Sequence, residues 1–267
     1  MKKLSMSLST LAVAAAASLG CSSSPANPDG STGGNGVLLM PSADGFLDGT
    51  NAVGIKGAWY SYGDWYGGTP AMAGQGDCPV KGGFTVDQCS SITMPAPGQP
   101  FTNTGGSMCT TGTVAKVIMS ATATSPDYSD IWGAGVGFDM NNAGTDDGGT
   151  GGKLPYDATA AGVTGFSFHI DMPPTGGQMR VEFPTAAAIG TTDINSAYWG
   201  GATANLSPFT KGGDYTVKFS EVGGPMYLTS PMPFDPTKIL SMQFHVVSNT
   251  SSTIPFNYCI SNVKALK

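Results

Sequence analysis

Six polar side chains that could bind a ligand or move a proton stand at alternate positions in apolar stretches of the sequence. Two lie in each of three stretches: His169, Asp171, Arg180, Glu182, Gln243 and His245. Carboxylate, amide, guanidinium and imidazole groups form directional hydrogen bonds, several of them charge-assisted. The set is richer than the Thr, Ser and Lys mixture of an ordinary solvated sheet face, and it predicts a binding surface. The alternative is a sheet face that only contacts water.

The alternation itself predicts that these side chains lie on β-strands. Residues 165–171 read GFSFHID, residues 178–183 read QMRVEF and residues 242–246 read MQFHV. Successive side chains of a strand point to opposite faces, so each stretch places its apolar residues in a core and its polar residues on the other face. Val136, Phe138 and Met140 alternate in the same way with Asp139 and Asn141.

The whole chain after residue 37 shows the pattern of an all-β protein. No window keeps apolar residues at helical spacing for three turns, whereas short alternating windows are separated by Gly, Pro, Asn and Asp clusters. We predict eight strands, at 53–61, 114–121, 133–140, 162–171, 179–183, 215–220, 239–247 and 256–263. Eight strands suit an antiparallel β-sandwich in a single domain.

Composition excludes one class of partner. Of 267 residues, 12 are Lys or Arg and 18 are Asp or Glu, which gives a formal net charge of −6. A nucleic-acid binder needs a basic patch for the phosphate backbone, so no nucleic-acid partner is expected. The 39 glycines and 19 prolines remain below the share at which composition alone indicates disorder.

The N-terminus predicts export. Lys2 and Lys3 precede an uncharged stretch that ends at Gly20-Cys21, which resembles a bacterial lipoprotein signal in which Cys21 carries the lipid. The alternative is an ordinary secretory signal that leaves Cys21 free. We therefore expect a signal peptide at 1–20, a flexible Ser/Gly/Pro tether at 21–36 and a folded domain at 37–267. The expected location is the outer membrane or cell surface, with membrane contact through the N-terminal lipid only.

Four further cysteines predict two disulfides, because an even number in an exported chain is ordinarily paired. Three pairings are possible. Cys78 and Cys89 both lie in Gly/Pro-rich sequence and are expected to close a local loop, which leaves Cys109 to pair with Cys259. Metal binding is the weaker interpretation, since no CxxC pair accompanies them.

Three groups of segments together resemble the galactose-binding-like jelly rolls, in particular family-11 carbohydrate-binding modules. The first group is 44–51 (DGFLDGTN) and 54–60 (GIKGAWY); the second is 132–139 (WGAGVGFD), 156–158 (YDA), 165–168 (GFSF) and 180–183 (RVEF); the third is 233–239 (PFDPTKI) and 242–244 (MQF). The Gly-rich stretch 141–152 departs from the family in length. The resemblance implies a jelly roll that binds a polysaccharide on a concave sheet without catalysing any reaction of it.

In such a site, the resemblance implies that aromatic rings stack on sugars while polar groups bond their hydroxyls. The six polar residues named above are the candidates for the hydroxyls, and the stacking candidates are Tyr60, Trp65, Tyr66 and Trp199. Trp65-Tyr66 and Tyr198-Trp199 each precede two glycines, which is typical of an exposed loop. Trp59 and Trp132 are expected to be buried, because their neighbours alternate as in a core strand.

A structural calcium ion is a second expectation. Asp139, Asn141, Asp146 and Asp147 place oxygen ligands close together in the sequence, and related jelly rolls often hold calcium. Asp44 and Asp48 are an alternative source of ligands. Runs of Asp, Asn and Gly also form plain turns, without any metal.

Enzymatic alternatives have weaker support. No GxSxG nucleophile motif occurs, and the two glutamates form no glycoside hydrolase motif. A polysaccharide lyase would need a neutraliser for a uronate carboxylate and an acid/base pair, which Arg180, Gln243, His245 and a tyrosine could supply on one sheet. A structural or adhesive surface protein is the third alternative. The sequence favours a non-catalytic binding domain.

Overall fold

Short antiparallel strands build the protein, as the alternating pattern predicted. The computed structural model describes residues 36–64, 78, 88–95, 101, 103–118, 128, 131–143, 152–171, 174, 176–186, 197–205 (backbone only), 212–223 and 234–267. In these residues the strands are β1 Gly36–Leu38, β2 Phe46–Asp48, β3 Lys56–Gly63, β4 Ser91–Met94, β5 Ser107–Val114, β6 Gly133–Asp139, β7 Gly165–Asp171, β8 Gln178–Ala186, β9 Ala197–Asn205, β10 Gly213–Lys218, β11 Ser241–Val247 and β12 Ile254–Leu266.

The strands form two six-stranded sheets. Sheet I has the order β10-β7-β12-β5-β4, with β1 also paired to β12, and sheet II has the order β2-β3-β6-β11-β8-β9. The chain changes sheet at each step from β5 to β8 and again from β9 to β12, which is the connectivity of a jelly roll. The predicted antiparallel β-sandwich is therefore confirmed. Within the described ranges no helix is long and apolar enough to span a bilayer.

The core lies between the two sheets and consists of the apolar residues that the alternation placed there. Phe168 of β7 meets Phe244 of β11 at 4.9 Å between ring centroids, in an edge-to-face geometry. The hydroxyl of Tyr258 on β12 donates to the carbonyl of the same Phe244, 3.2 Å away. Burying each such ring stabilises the fold by about 1.5–3 kcal/mol.

Both predicted disulfides are confirmed. Cys109 and Cys259 lie directly opposite each other on β5 and β12, with Cα atoms 3.9 Å apart. Cys78 and Cys89 form the second bond, with Cα atoms 5.8 Å apart. This second bond is part of a small separate core with Ala115, Val117 and Ile131, which we call the disulfide core.

One strand prediction and one loop prediction are wrong, and the described residues contain twelve strands where eight were predicted. A strand was expected at 114–121, but β5 spans Ser107–Val114 and ends where the predicted strand begins. Threonines and a cysteine occupy positions of β5 at which the pattern requires apolar residues. The pair Tyr198-Trp199 and the two glycines after it were expected in a loop but belong to β9, because Ala197–Asn205 pairs with β8 along its length. Backbone pairing with a neighbour outweighs weak local propensity at such positions.

Candidate functional site: the outward face of sheet II

Two rows of side chains cross sheet II on the side away from the core, which we call the outward face. In the first row Tyr60, Gly137, Gln243 and Glu182 are successive partners on β3, β6, β11 and β8. In the second row the partners are Tyr62, Gly135, His245 and Arg180. Four of the six predicted polar residues, together with Tyr60, are thus brought together on adjacent strands.

A strip of glycines on β6 allows the two sides of this face to meet. Gly133, Gly135 and Gly137 all point outward, and a Cβ at Gly135 would lie 2.0 Å from the carbonyl oxygen of Phe244. A Cβ at Gly137 would lie 2.9 Å from Cγ of Gln243. Because Gly137 has no side chain between them, the Gln243 amide donates to the Tyr60 hydroxyl across β6, at 2.9 Å.

A charged cluster lies on the β11–β8 side of the face. Oε1 of Glu182 accepts from Nε of Arg180 and lies 2.8 Å from Nδ1 of His245. Burial works to raise the pKa of Glu182, but His245 and Arg180 together outweigh it and hold that pKa below its usual value. Because an ionised carboxylate can only accept, Nδ1 of His245 carries the proton of this hydrogen bond.

A second ion pair lies on the β3 side. Nζ of Lys153 lies 2.8 Å from Oδ1 of Asp139 and 4.2 Å from the centroid of the Tyr60 ring. Burial opposes the charged ammonium, yet the neighbouring Tyr60 and Asp139 raise the pKa of Lys153 above its ordinary value. Burial raises the pKa of Asp139, against the opposing effect of Lys153.

Aromatic rings surround His245. Trp132 meets the imidazole edge-on with ring centroids 5.4 Å apart, and the Trp132 and Tyr62 rings stack at 6.1 Å. The Tyr62 hydroxyl is buried and, among the described residues, has no hydrogen-bond partner. Burial raises the pKa of Tyr62, and the Glu182 carboxylate raises it further. Tyr62 is therefore a neutral phenol at ordinary pH.

Exposure divides the outward face into a buried base and an accessible rim. Gln243 and His245 are each 2% exposed, so they cannot contact a large ligand directly. The rim consists of three half-buried aromatic residues and two cations whose side chains are 21% and 34% exposed: Tyr60, Tyr62, Trp132, Arg180 and Lys153. The base residues hold the rim residues in place through the contacts above.

His169 and Asp171 were predicted on the same polar face, and this is corrected by the sheet order. Both lie on β7 in sheet I, because β7 pairs with β10 and β12 rather than with β8 or β11. There His169 lies between two carboxylates, with Nδ1 2.6 Å from Asp214 and Nε2 3.1 Å from Asp171. The hydrogen bond with Asp214 is the main cause of a raised pKa for His169.

Several predicted positions fall where side chains are not described. Trp65, Tyr66, Asp146, Asp147 and Cys21 lie outside the described residues, and for Trp199 only the backbone on β9 is described. Of the predicted calcium ligands, Asp139 is paired with Lys153, and the amide of Asn141 donates to the carbonyl of Pro155. In the part of the chain that is described, no three metal-ligating side chains form a cluster.

Sequence reasoning missed three of the rim residues. Tyr62, Trp132 and Lys153 were not candidates; Trp59 is buried as predicted, whereas Trp132 is half-buried. The signal for this part of the face was present in residues 132–139 (WGAGVGFD), where glycines alternate along a strand directly after a tryptophan. Such glycines indicate close approach of neighbouring groups on one face.

The chain has low-identity likenesses among solved structures. No protein-family model and no curated protein matches it. A family 11 carbohydrate-binding module from Clostridium thermocellum, in complex with a β-1,3-1,4-mixed-linked tetrasaccharide, is 14% identical over 86% of this chain and 95% of its own, with a TM-score of 0.40. The family 11 module of a cellulosomal cellulase of Clostridium thermocellum is 15% identical over 60% of this chain and 82% of its own, with a TM-score of 0.29. The N-terminal cellulose-binding domain of Cellulomonas fimi β-1,4-glucanase C is 13% identical over 63% and 82%, with a TM-score of 0.24. The first two are of the type that the sequence resemblance indicated.

Proposed function

We propose that the protein is a non-catalytic polysaccharide-binding domain whose ligand lies on the outward face of sheet II. One observation carries the proposal: aromatic rings and hydrogen-bonding cations form one rim over a polar base, with Trp132, Tyr62 and His245 in mutual ring contact. Sugar C–H faces pack on aromatic rings, while guanidinium and ammonium groups donate to hydroxyls. The rim supplies both types of group side by side.

The charge of the rim favours hydroxyl recognition. Arg180 is paired with Glu182 and Lys153 with Asp139, so each cation has a carboxylate beside it. Each cation still has N–H groups that can donate to a ligand, because an ion pair uses only some of its donors. A face with paired charges attracts a polyanion less than a face with free cations would.

The burial of His245 argues against the lyase alternative. Its Nε2 would be the free general base, since Nδ1 is held by Glu182. That Nε2 is buried, and a Cβ at Gly133 would lie only 2.4 Å from it, so it points at the β6 backbone rather than at the rim. A general base must lie within hydrogen-bond reach of the proton that it removes. The cluster supports positioning better than proton transfer.

Isothermal titration against neutral β-glucans and polyuronates tests the proposal. Trp132→Ala and Arg180→Ala should each weaken the affinity for the best ligand by about thirtyfold, since truncating a central Trp or Arg of an interface costs roughly 2 kcal/mol. The matched controls are on sheet I: Lys264→Ala, an exposed cation on β12, and Tyr215→Ala, a half-buried tyrosine on β10.

The possible outcomes separate the alternatives. Saturable binding that the sheet II variants weaken and the sheet I variants leave unchanged supports the proposal. Ultraviolet absorbance from an unsaturated product would move the assignment to a lyase. No binding to any glycan would leave a structural or adhesive role.

We further propose export and lipid anchoring through Cys21, which rests on the sequence of residues 1–21 alone. Mass spectrometry of the membrane fraction should find an acylated N-terminal Cys21, and Cys21→Ser should release the protein into the soluble fraction.

Calcium binding by the predicted stretch would depend on Asp146 and Asp147, because Asp139 already has Lys153 as its cation. Calcium should then raise the melting temperature, and D146N/D147N should abolish the rise.

A further inference from the structure

One buried carboxylate lies at the end of β3, directly behind the aromatic rim. Asp64 is 0% exposed, and its two oxygens accept four hydrogen bonds. The donors are the backbone and hydroxyl of Ser90, at 2.9 and 2.8 Å, and the backbone N–H groups of Trp132 and Gly133, at 3.2 and 3.0 Å. In the described part of the chain no Lys, Arg or His forms an ion pair with it. Its charge is stabilised by N–H and O–H donors.

The backbone of Asp64 joins the same segments. Its N–H donates to the carbonyl of Gly133, and its carbonyl accepts from the N–H of Cys78, both at 2.9 Å. Asp64 therefore connects the end of β3, the Cys78–Cys89 disulfide and the start of β6. Tyr62 lies two residues before Asp64 on β3, and the backbone N–H of Trp132 donates a hydrogen bond to the Asp64 carboxylate.

The disulfide core also holds the residue that precedes Trp132. Ile131, the residue before Trp132, is 1% exposed and packs in the disulfide core with Cys78 and Cys89. Ser90, which follows Cys89, also accepts from the N–H of Ala115 through its hydroxyl at 2.8 Å. Trp132 is thus fixed by the packed Ile131 before it and by the backbone N–H groups of Trp132 and Gly133, which donate to the Asp64 carboxylate.

We propose that Asp64 and the Cys78–Cys89 disulfide are positioning elements of the ligand site, which hold Trp132 in the orientation that binds. This proposal rests on the proposed function for its effect on affinity. Asp64 touches no ligand itself, and it acts through the backbone of Trp132 and Gly133.

Asp64→Asn changes the hydrogen-bonding groups of this side chain while keeping its size and shape nearly the same. An asparagine offers one carbonyl oxygen in place of two carboxylate oxygens, and its NH₂ group is a donor. Whichever way the amide is turned, the NH₂ faces donors that previously had an acceptor. The asparagine can therefore no longer accept from all the donors of Trp132, Gly133 and Ser90.

The second disulfide gives a matched control for the first. Cys109–Cys259 joins β5 and β12, two paired strands of sheet I, whereas Cys78 is hydrogen-bonded to Asp64. It closes a sequence separation of 150 residues against 11 for Cys78–Cys89, so its removal should destabilise the fold more. If the loss of affinity follows stability, C109A/C259A should lose more affinity than C78A/C89A. If it follows the position of the disulfide next to Trp132, C78A/C89A should lose more.

The experiment measures glycan affinity and the environment of Trp132 in the same variants. Fluorotryptophan-labelled protein gives a resonance for each of its four tryptophans, and Trp132→Phe identifies the one from Trp132. We expect C78A/C89A and Asp64→Asn to raise the dissociation constant about tenfold and to shift or broaden the Trp132 resonance. We expect C109A/C259A to change the affinity less than about twofold and to leave that resonance in place.

The other possible results each contradict the positioning proposal or the proposed function. Unchanged affinity and an unchanged Trp132 resonance in C78A/C89A and Asp64→Asn would overturn the proposal. Losses of affinity that follow thermal stability, with C109A/C259A the worst, would overturn it as well. If the wild type binds no glycan, the proposed function fails, while a shift of Trp132 alone still supports the positioning role. Ser90→Ala removes one of the four donors and serves if Asp64→Asn does not fold.

Discussion

Replacing Glu182 by glutamine tests the polar base of the outward face most directly. The Glu182 side chain is 11% exposed, and its Oε1 is the shared partner of Arg180 and His245. Removing one partner of a buried ion pair costs about 3–5 kcal/mol, because the remaining charge is left without compensation. Glutamine keeps one carbonyl acceptor for the Nδ1 proton of His245, which reduces the expected loss to about 2–3 kcal/mol. For a chain of this size, the melting temperature should fall by about 5–10 °C.

The pH dependence of this loss has a definite sign. The folded-state pKa of Glu182 lies below the model-compound value of 4.5, since His245 and Arg180 outweigh burial. A carboxylate with a lowered pKa contributes stability above its unfolded pKa, and this stability is lost as the pH falls through the folded pKa. The difference between wild type and Glu182→Gln should therefore be full at neutral pH and should shrink as the pH falls below 4.5.

Urea denaturation of both proteins across this pH range measures the effect, and the chain offers a matched control. Glu221 is the other glutamate, and it is exposed in the 3-10 turn Phe219–Glu221. Glu221→Gln should change the free energy of unfolding by less than about 0.5 kcal/mol. Equal stability of the two variants at neutral pH would refute the reasoning, and so would a Glu182→Gln deficit that persists unchanged in acid.

Three further predictions concern the fold around the site. Gly135→Ala should destabilise by about 1–3 kcal/mol in urea denaturation, because its Cβ would lie 2.0 Å from the Phe244 carbonyl, while Gly213→Ala, with open space around it, should be near neutral. In thermal denaturation, loss of Cys109–Cys259 should cost about 5 kcal/mol and loss of Cys78–Cys89 about 3 kcal/mol, from the chain-entropy cost of loops with separations of 150 and 11 residues; the reverse order would contradict the entropic account. His169 has a raised pKa, so its contribution is full below the unfolded value of 6.5 and is lost as the pH rises through the folded pKa. His169→Gln should therefore be less stable than wild type in acid and should approach it in alkali, and a constant difference across pH would count against the Asp214 pairing.

The alternation of side chains predicted which face each residue occupies but not which sheet each strand joins. His169 on β7 and His245 on β11 have the same sequence signature, an imidazole two residues from another polar group and flanked by apolar residues. Strand pairing is decided by contacts far apart in sequence, and β7 pairs with β12 about ninety residues later. The two histidines therefore lie on opposite sides of the sandwich, although local sequence could not separate them.

Burial of the base was likewise beyond the local pattern. The alternation around Gln243 predicts an ordinary polar face, yet Gln243 and His245 are almost fully buried. They are covered because β6 has glycines at 133, 135 and 137 on this face, so the Tyr60 and Tyr62 rings from β3 approach β11. A single strand of glycines changes the exposure of its neighbours, and that effect appears only when the strands are placed side by side.

The buried base reduces the entropy that the rim would lose when the proposed polymer ligand binds. Three of the five rim residues have a polar partner beneath or beside them: Gln243 for Tyr60, Glu182 for Arg180 and Asp139 for Lys153. A side chain that is already held in one conformation loses less entropy when a ligand immobilises it, and this loss is about 0.5–1.5 kcal/mol for each free side chain. Fixing three rim residues in advance therefore saves an amount of the same order as one good ring contact. The charges used for this purpose are paired within the protein, so the rim gains rigidity without a net charge that would select for polyanions.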